Sequence, residues 1–91
     1  MIKATASKQV TSDSIIEVIR QEFAELLHQT ELDATTRLTQ EFGLDSMDIV
    51  RLQVALEDYY DIRFDPETTD FDVVFSTPTT LAKHIKLETE R

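Results

Sequence analysis

Few side chains in this sequence can do covalent or acid–base chemistry, and their spacing narrows the choice further. There is no Cys, so the chain offers no thiol nucleophile, no disulfide framework and no thiolate metal site. The two histidines, His28 and His84, stand near the ends of separate helical stretches, with no triad partner and no HExxH spacing. Each reads as a solvated residue near a helix C-terminus. The acidic run Asp61-Ile62-Arg63-Phe64-Asp65-Pro66-Glu67 departs from a calcium loop, with Arg63 at the third position, Pro66 in place of the glycine and Asp72 at the twelfth. No metal site and no catalytic residue are expected. What remains is a serine. In Phe42-Gly43-Leu44-Asp45-Ser46-Met47-Asp48-Ile49-Val50 the chain's only glycine precedes Ser46 at the expected start of a helix, and no G-x-S-x-G elbow surrounds it. From its position alone, a serine there reads as an N-cap.

The length of 91 residues, with 41% apolar, is enough for one modest core and too little for two domains. No stretch approaches the roughly 20 apolar residues of a membrane span, and the N-terminal MIKATASKQVTSD lacks the apolar core of a signal peptide. A cytoplasmic monomer without membrane contact is expected. The net charge of −9 sits almost wholly in residues 31–72, where twelve acids face three bases. Nucleic-acid binding requires the opposite sign to displace counterions, so DNA and RNA are unsuited as partners and basic protein surfaces are favoured.

One Gly and two Pro are too few for a turn-rich β domain, and apolar residues recur at helical spacing. The spacing predicts an all-α four-helix bundle with a long loop between the first and second helices and a short third helix. Residues 1–11 read as a flexible lead-in. Thr11, Ser12, Asp13 and Ser14 all offer caps for the first helix, and Ser14 with Glu17 matches a capping box. Its core stripe is Ile15, Ile16, Ile19, Phe23, Leu26 and Leu27. Across residues 28–44, Leu32, Leu38, Phe42 and Leu44 can pin an ordered loop to the bundle. The second helix runs from about Ser46 to Asp61 with Asp45 at its cap; FDVVF supplies the short third. Thr77 caps the last helix, Pro78 opens it, and Leu81, Ala82, Ile85 and Leu87 form its inner face.

The second helix carries two apolar faces. At about 100° per residue, Ile49, Leu52, Leu56, Tyr59 and Tyr60 share one arc and face the core. Met47, Val50 and Val54 fall on nearly the opposite side, rimmed by Asp48, Arg51, Glu57 and Asp58. An apolar strip with a charged rim has the composition of a partner-docking face; a neighbouring loop lying over it is the other reading.

Gly43-Leu44-Asp45-Ser46-Met47-Asp48 closely resembles the G-x-D-S-[LM] signature of acyl, peptidyl and aryl carrier proteins, and the order of elements is similar over residues 14–87. The resemblance implies a carrier domain over residues 12–88 that is a substrate and shuttle rather than an enzyme. It implies 4′-phosphopantetheine attached covalently to Ser46, with Asp45 beside it, and acyl or aminoacyl cargo held as a thioester. It implies as partners a phosphopantetheinyl transferase, a loading enzyme and pathway synthases with basic surfaces, met by Met47, Asp48, Val50, Arg51, Val54, Glu57 and Asp58. A helix start favours the phosphodiester such a modification leaves, through its free N–H groups and partial positive charge.

Two departures from the resemblance shape the expectation. Arg51 stands where fatty-acid carriers have an acid, and the segment 61–80 is longer and more aromatic than theirs. Both point to a specialised pathway, such as polyketide, nonribosomal peptide or modified-lipid assembly, rather than housekeeping fatty-acid synthesis. Phe64, Phe71 and Phe75 either line a cargo pocket between the second and third helices or fill the core. The competing functional class is a carrier-like interaction module that docks basic partners without being modified.

Overall fold

The computed structural model of the protein describes residues 9–26 and 31–90, which contain helices and no strand. Helix α1 spans Ser12–Glu22, followed by a 3₁₀ turn at Ala24–Leu26; α2 spans Ser46–Tyr60, α3 Phe71–Val74 and α4 Pro78–Thr89. The expected all-α four-helix bundle, with its long first connection and short third helix, is the observed architecture. No helix among the described residues is long and apolar enough to cross a membrane.

Each boundary has a local cause. Thr11, not Ser14, caps α1: its hydroxyl accepts from the Ser14 N–H at 3.1 Å, and Ser14 Oγ accepts from the Thr11 N–H at 3.0 Å. The Ser14–Glu17 box read from the sequence is thus displaced by three residues, because Thr11 leaves Ser14 at the third helical position, where it can reciprocate. Ser14 Oγ also lies 2.6 Å from the Tyr60 hydroxyl, tying the start of α1 to the end of α2. Burial raises the Tyr60 pKa above its ordinary value, against the opposing bond from Ser14. Asp61, at φ 57°, turns left-handed to end α2 and donates its N–H to Glu57 O. Thr77 and Thr80 form the box that opens α4, with Pro78 at the position where a missing N–H is harmless.

The core joins α1, α2 and α4 through Ile15, Ile19, Leu52, Leu56, Leu81 and Ile85, all fully buried. Leu32, Leu38, Phe42 and Leu44 of the long loop are buried with them, as their spacing requires. Backbone bonds complete the attachment. Leu38 N–H donates to Ser76 O at 2.9 Å, while the N–H and hydroxyl of Thr79 both donate to Ala34 O. Within the loop, the Thr35 N–H and then the Thr36 and Thr35 hydroxyls bond the Asp33 carboxylate and hold its pKa below the usual range.

Several expected core positions differ. Phe23 is buried but lies just beyond α1, as its C-cap. Val18, outside the expected stripe, is buried, whereas Tyr59 and Leu87 are exposed at 41% and 60%. Tyr60 takes the inward place beside which Tyr59 packs edge-on, and Leu87 near the end of α4 stays in solvent. The side chains of Leu26 and Leu27, together with His28 and the lead-in residues 1–8, lie outside the described residues.

Candidate functional site at the start of helix α2

The approach to Ser46 begins with a backbone constraint. Gly43 holds φ +91°, a left-handed conformation that side chains disfavour, and a Cβ there would meet nothing within 4 Å. Glycine is therefore required by conformation rather than by crowding. Leu44 follows, 2% exposed, with its N–H on Leu38 O, and it anchors the segment one residue before the cap. Asp45 then caps α2: its carboxylate accepts from the Asp48 N–H at 2.9 Å, and Asp48 returns an acceptor to the Asp45 N–H at 3.2 Å. Ser46 is the first residue of the helix and is exposed. The two readings of this serine separate here. Capping is done by Asp45, so the Ser46 hydroxyl has no structural duty at the helix end.

The other expected site residues divide into two groups. Met47, Val50 and Val54 are 75%, 54% and 51% exposed, so no loop among the described residues covers that strip. Asp48 lies beside it within the cap, and Asp58 is exposed farther along. Arg51 and Glu57 are instead engaged inside the chain. Arg51 reaches back to α1, pairing with Glu22 at 3.2 Å and Glu25 at 3.6 Å, lying 4.5 Å over the Phe23 ring and donating to the Glu22 carbonyl. A guanidinium there satisfies a carbonyl at a helix C-terminus and covers an aromatic face. Glu57 turns into the following loop, where its carboxylate accepts from the Phe64 N–H at 2.9 Å and pairs with Arg63 at 3.6 Å.

Beside Ser46, between the long loop, α2 and α3, lies a cleft of about 830 Å³. That volume lies within the range of small-molecule sites. Its deeper lining is apolar, with Leu44 and Phe75 buried and Ile49 and Phe71 partly so; Arg37, Gln40 and Asp72 stand exposed at its rim. The aromatic segment thus both packs the core and borders the cleft. Phe64 is core, 5.2 Å from the Phe75 ring, while Phe71 and Phe75 pack on it and also border the cleft.

Sequence reasoning missed one participant, Gln53, and misread His84, which packs behind the site. Gln53 lines the cleft, and its position seven residues after Ser46 was a signal, since that spacing returns to the same helix face. His84 is partly buried, with its ring stacked at 5.5 Å on Phe64 and its Nε2 3.9 Å from Glu88, so it is a packing residue rather than a solvated one. No cluster of metal-binding side chains occurs among the described residues.

No curated protein and no solved structure matches the chain significantly. The sequence model of the family described as Phosphopantetheine attachment site matches residues 17–85, well over half of the 91. Domains of this family hold 4′-phosphopantetheine covalently on a serine, and they meet phosphopantetheinyl transferases and pathway enzymes. By that match, over a helical bundle in which a free serine hydroxyl opens the second helix, the chain belongs to the phosphopantetheine-binding carrier domains.

Proposed function

We propose that Ser46 is the residue that bears 4′-phosphopantetheine, and that residues 12–88 act as a cytoplasmic shuttle for acyl or aminoacyl groups in a specialised biosynthetic pathway. The observation that carries this reading is the division between neighbours: Asp45 caps the helix, and Ser46 stands exposed with its hydroxyl unused. The site fits the group. The first N–H groups of α2 have no acceptor within the helix and favour an anion. The cleft beside Ser46 has room for a chain that folds back. When bound, the group supplies the thiol that this Cys-free chain lacks.

The chain's own part is presentation. Met47, Val50 and Val54 offer an apolar strip beginning one residue from Ser46, with Asp48 and Asp58 at its edge to orient basic partners. Arg51 and Glu57 shape that face from behind by fixing α2 against α1 and the 61–64 loop. The pathway assignment is supported by Arg51, a base at a rim position and committed to α1, and by the aromatic wall of Phe71 and Phe75.

Intact-protein mass spectrometry tests the assignment. Incubation with coenzyme A and a broad-specificity phosphopantetheinyl transferase should add one phosphopantetheine to the wild type and none to Ser46→Ala. Since Ser46 is not the cap, Ser46→Ala should change stability by under about 0.5 kcal/mol. A modified Ser46→Ala protein would refute the assignment, and an unmodified wild type would favour the interaction module.

A further inference from the structure

Resting on Ser46 as the attachment residue, we propose that the adjoining cleft selects cargo chains bearing a hydrogen-bond donor, a hydroxyl or amide N–H, and that Gln53 is the residue that reads it. Ser46, Ile49 and Gln53 follow one another at helical spacing along a single face of α2, and all three line the cleft. Gln53 therefore stands two turns, about 10 Å, from Ser46 along the helix axis. Cargo folded back along α2 must pass it.

The surroundings of Gln53 make its polarity consequential. Leu44 and Phe75, each 2% exposed, form the buried part of the lining, and Ile49 and Phe71 continue it. Gln53 is partly buried among them, unlike Arg37, Thr39 and Gln40 at the exposed rim. Its orientation is set from below. Glu57 Oε2 lies 3.4 Å from Gln53 Nε2, and since a carboxylate only accepts, the amide nitrogen faces Glu57. Glu57 is in turn held by the Phe64 N–H and Arg63. The carboxamide oxygen is left as the acceptor that Gln53 brings to the cleft.

A fully saturated chain laid against that oxygen removes its water and returns no hydrogen bond. A chain with a hydroxyl or amide N–H at the same depth replaces the water, while its carbons still cover Ile49, Phe71 and Phe75. Sites that hydrogen-bond one substrate reject analogues lacking the group more strongly than apolar pockets reject an added methylene.

The test loads the full chain with octanoyl or β-hydroxyoctanoyl groups through pantetheine analogues in which a methylene replaces the thioester sulfur, giving a stable ketone that adds no donor. Intact mass establishes loading first; failure to load overturns the Ser46 assignment and this proposal with it. Shifts of the Gln53 side-chain amide and the Phe71 and Phe75 backbone amides, read by ¹H–¹⁵N NMR, then report occupancy of the cleft. The hydroxylated chain should occupy it roughly threefold to tenfold more than octanoyl, the size of one hydrogen bond. Gln53→Leu should abolish or reverse that preference, with Gln53→Met as the substitute should the leucine variant fail to fold. Equal occupancy by both chains, an unchanged preference in the variant, or the same shifts from the arm without cargo would each overturn the proposal in a sample shown by mass to be loaded.

Discussion

Leu52 and Val50 lie two residues apart on α2 and meet opposite surroundings: Leu52 is 0% exposed and Val50 is 54% exposed. The same contrast runs the length of the helix. Leu52, Leu56 and Tyr60 bind α2 to the bundle, whereas Met47, Val50 and Val54 keep their apolar surface in solvent. Residue type does not separate the two sets. Direction around the helix does, and a helix whose packing needs are met by one face is free to present the other. Where the two faces meet, Ser46, Ile49 and Gln53 border the cleft, Ile49 being packed against the core as well and Val50 of the outer strip lining the cleft beside them.

Exchanging the properties of these faces gives the sharpest tests. Leu52→Ala empties a fully buried site and should cost about 3 kcal/mol in denaturant unfolding; a cost near that of a surface change would mean the inner face is loosely held. Gly43→Ala should cost about 1 kcal/mol through its φ of +91° alone, because a Cβ there meets no neighbour. Its transferase rate should fall as the approach to Ser46 shifts. Arg51→Ala should lower stability by somewhat under 1 kcal/mol, since its ion pairs are half-exposed and its contact with Phe23 is the larger part. Were Arg51 instead a partner contact, the loss would appear in binding and not in the melt. Met47→Glu should leave stability within about 0.5 kcal/mol while weakening transferase docking at least about fivefold. Should Met47→Glu unfold the domain, the outer face is core after all.

Much of this arrangement was legible in the amino-acid order because it rests on short-range signals. Asp45 at the cap, Pro78 after Thr77, and the apolar residues of the long loop each declare themselves within a few positions. The cap of α1 was harder, since Thr11, Ser12, Asp13 and Ser14 all have capping side chains and only the backbone course chooses among them. Glu57 and His84 were illegible for a different reason. A polar residue on a helix reads as solvated until the loop carrying Phe64 is placed, and that loop is what supplies their partners. Arg51 likewise reads as a rim charge, because its partners Glu22 and Phe23 are almost thirty positions away. Ser46 was found by pattern, yet its freedom from capping needed the geometry of Asp45.

The bonds from Thr79 to Ala34 join residues 45 positions apart, and the Ser14–Tyr60 pair spans 46. Closing such separations is entropically costly until most of the chain is in place. Local helices can form early, whereas the loop that leads to Leu44 takes part of its anchorage from Thr79 of α4. A far-off contact thus reaches the approach to the serine, since the same motif without α4 would lack part of what holds its leading loop.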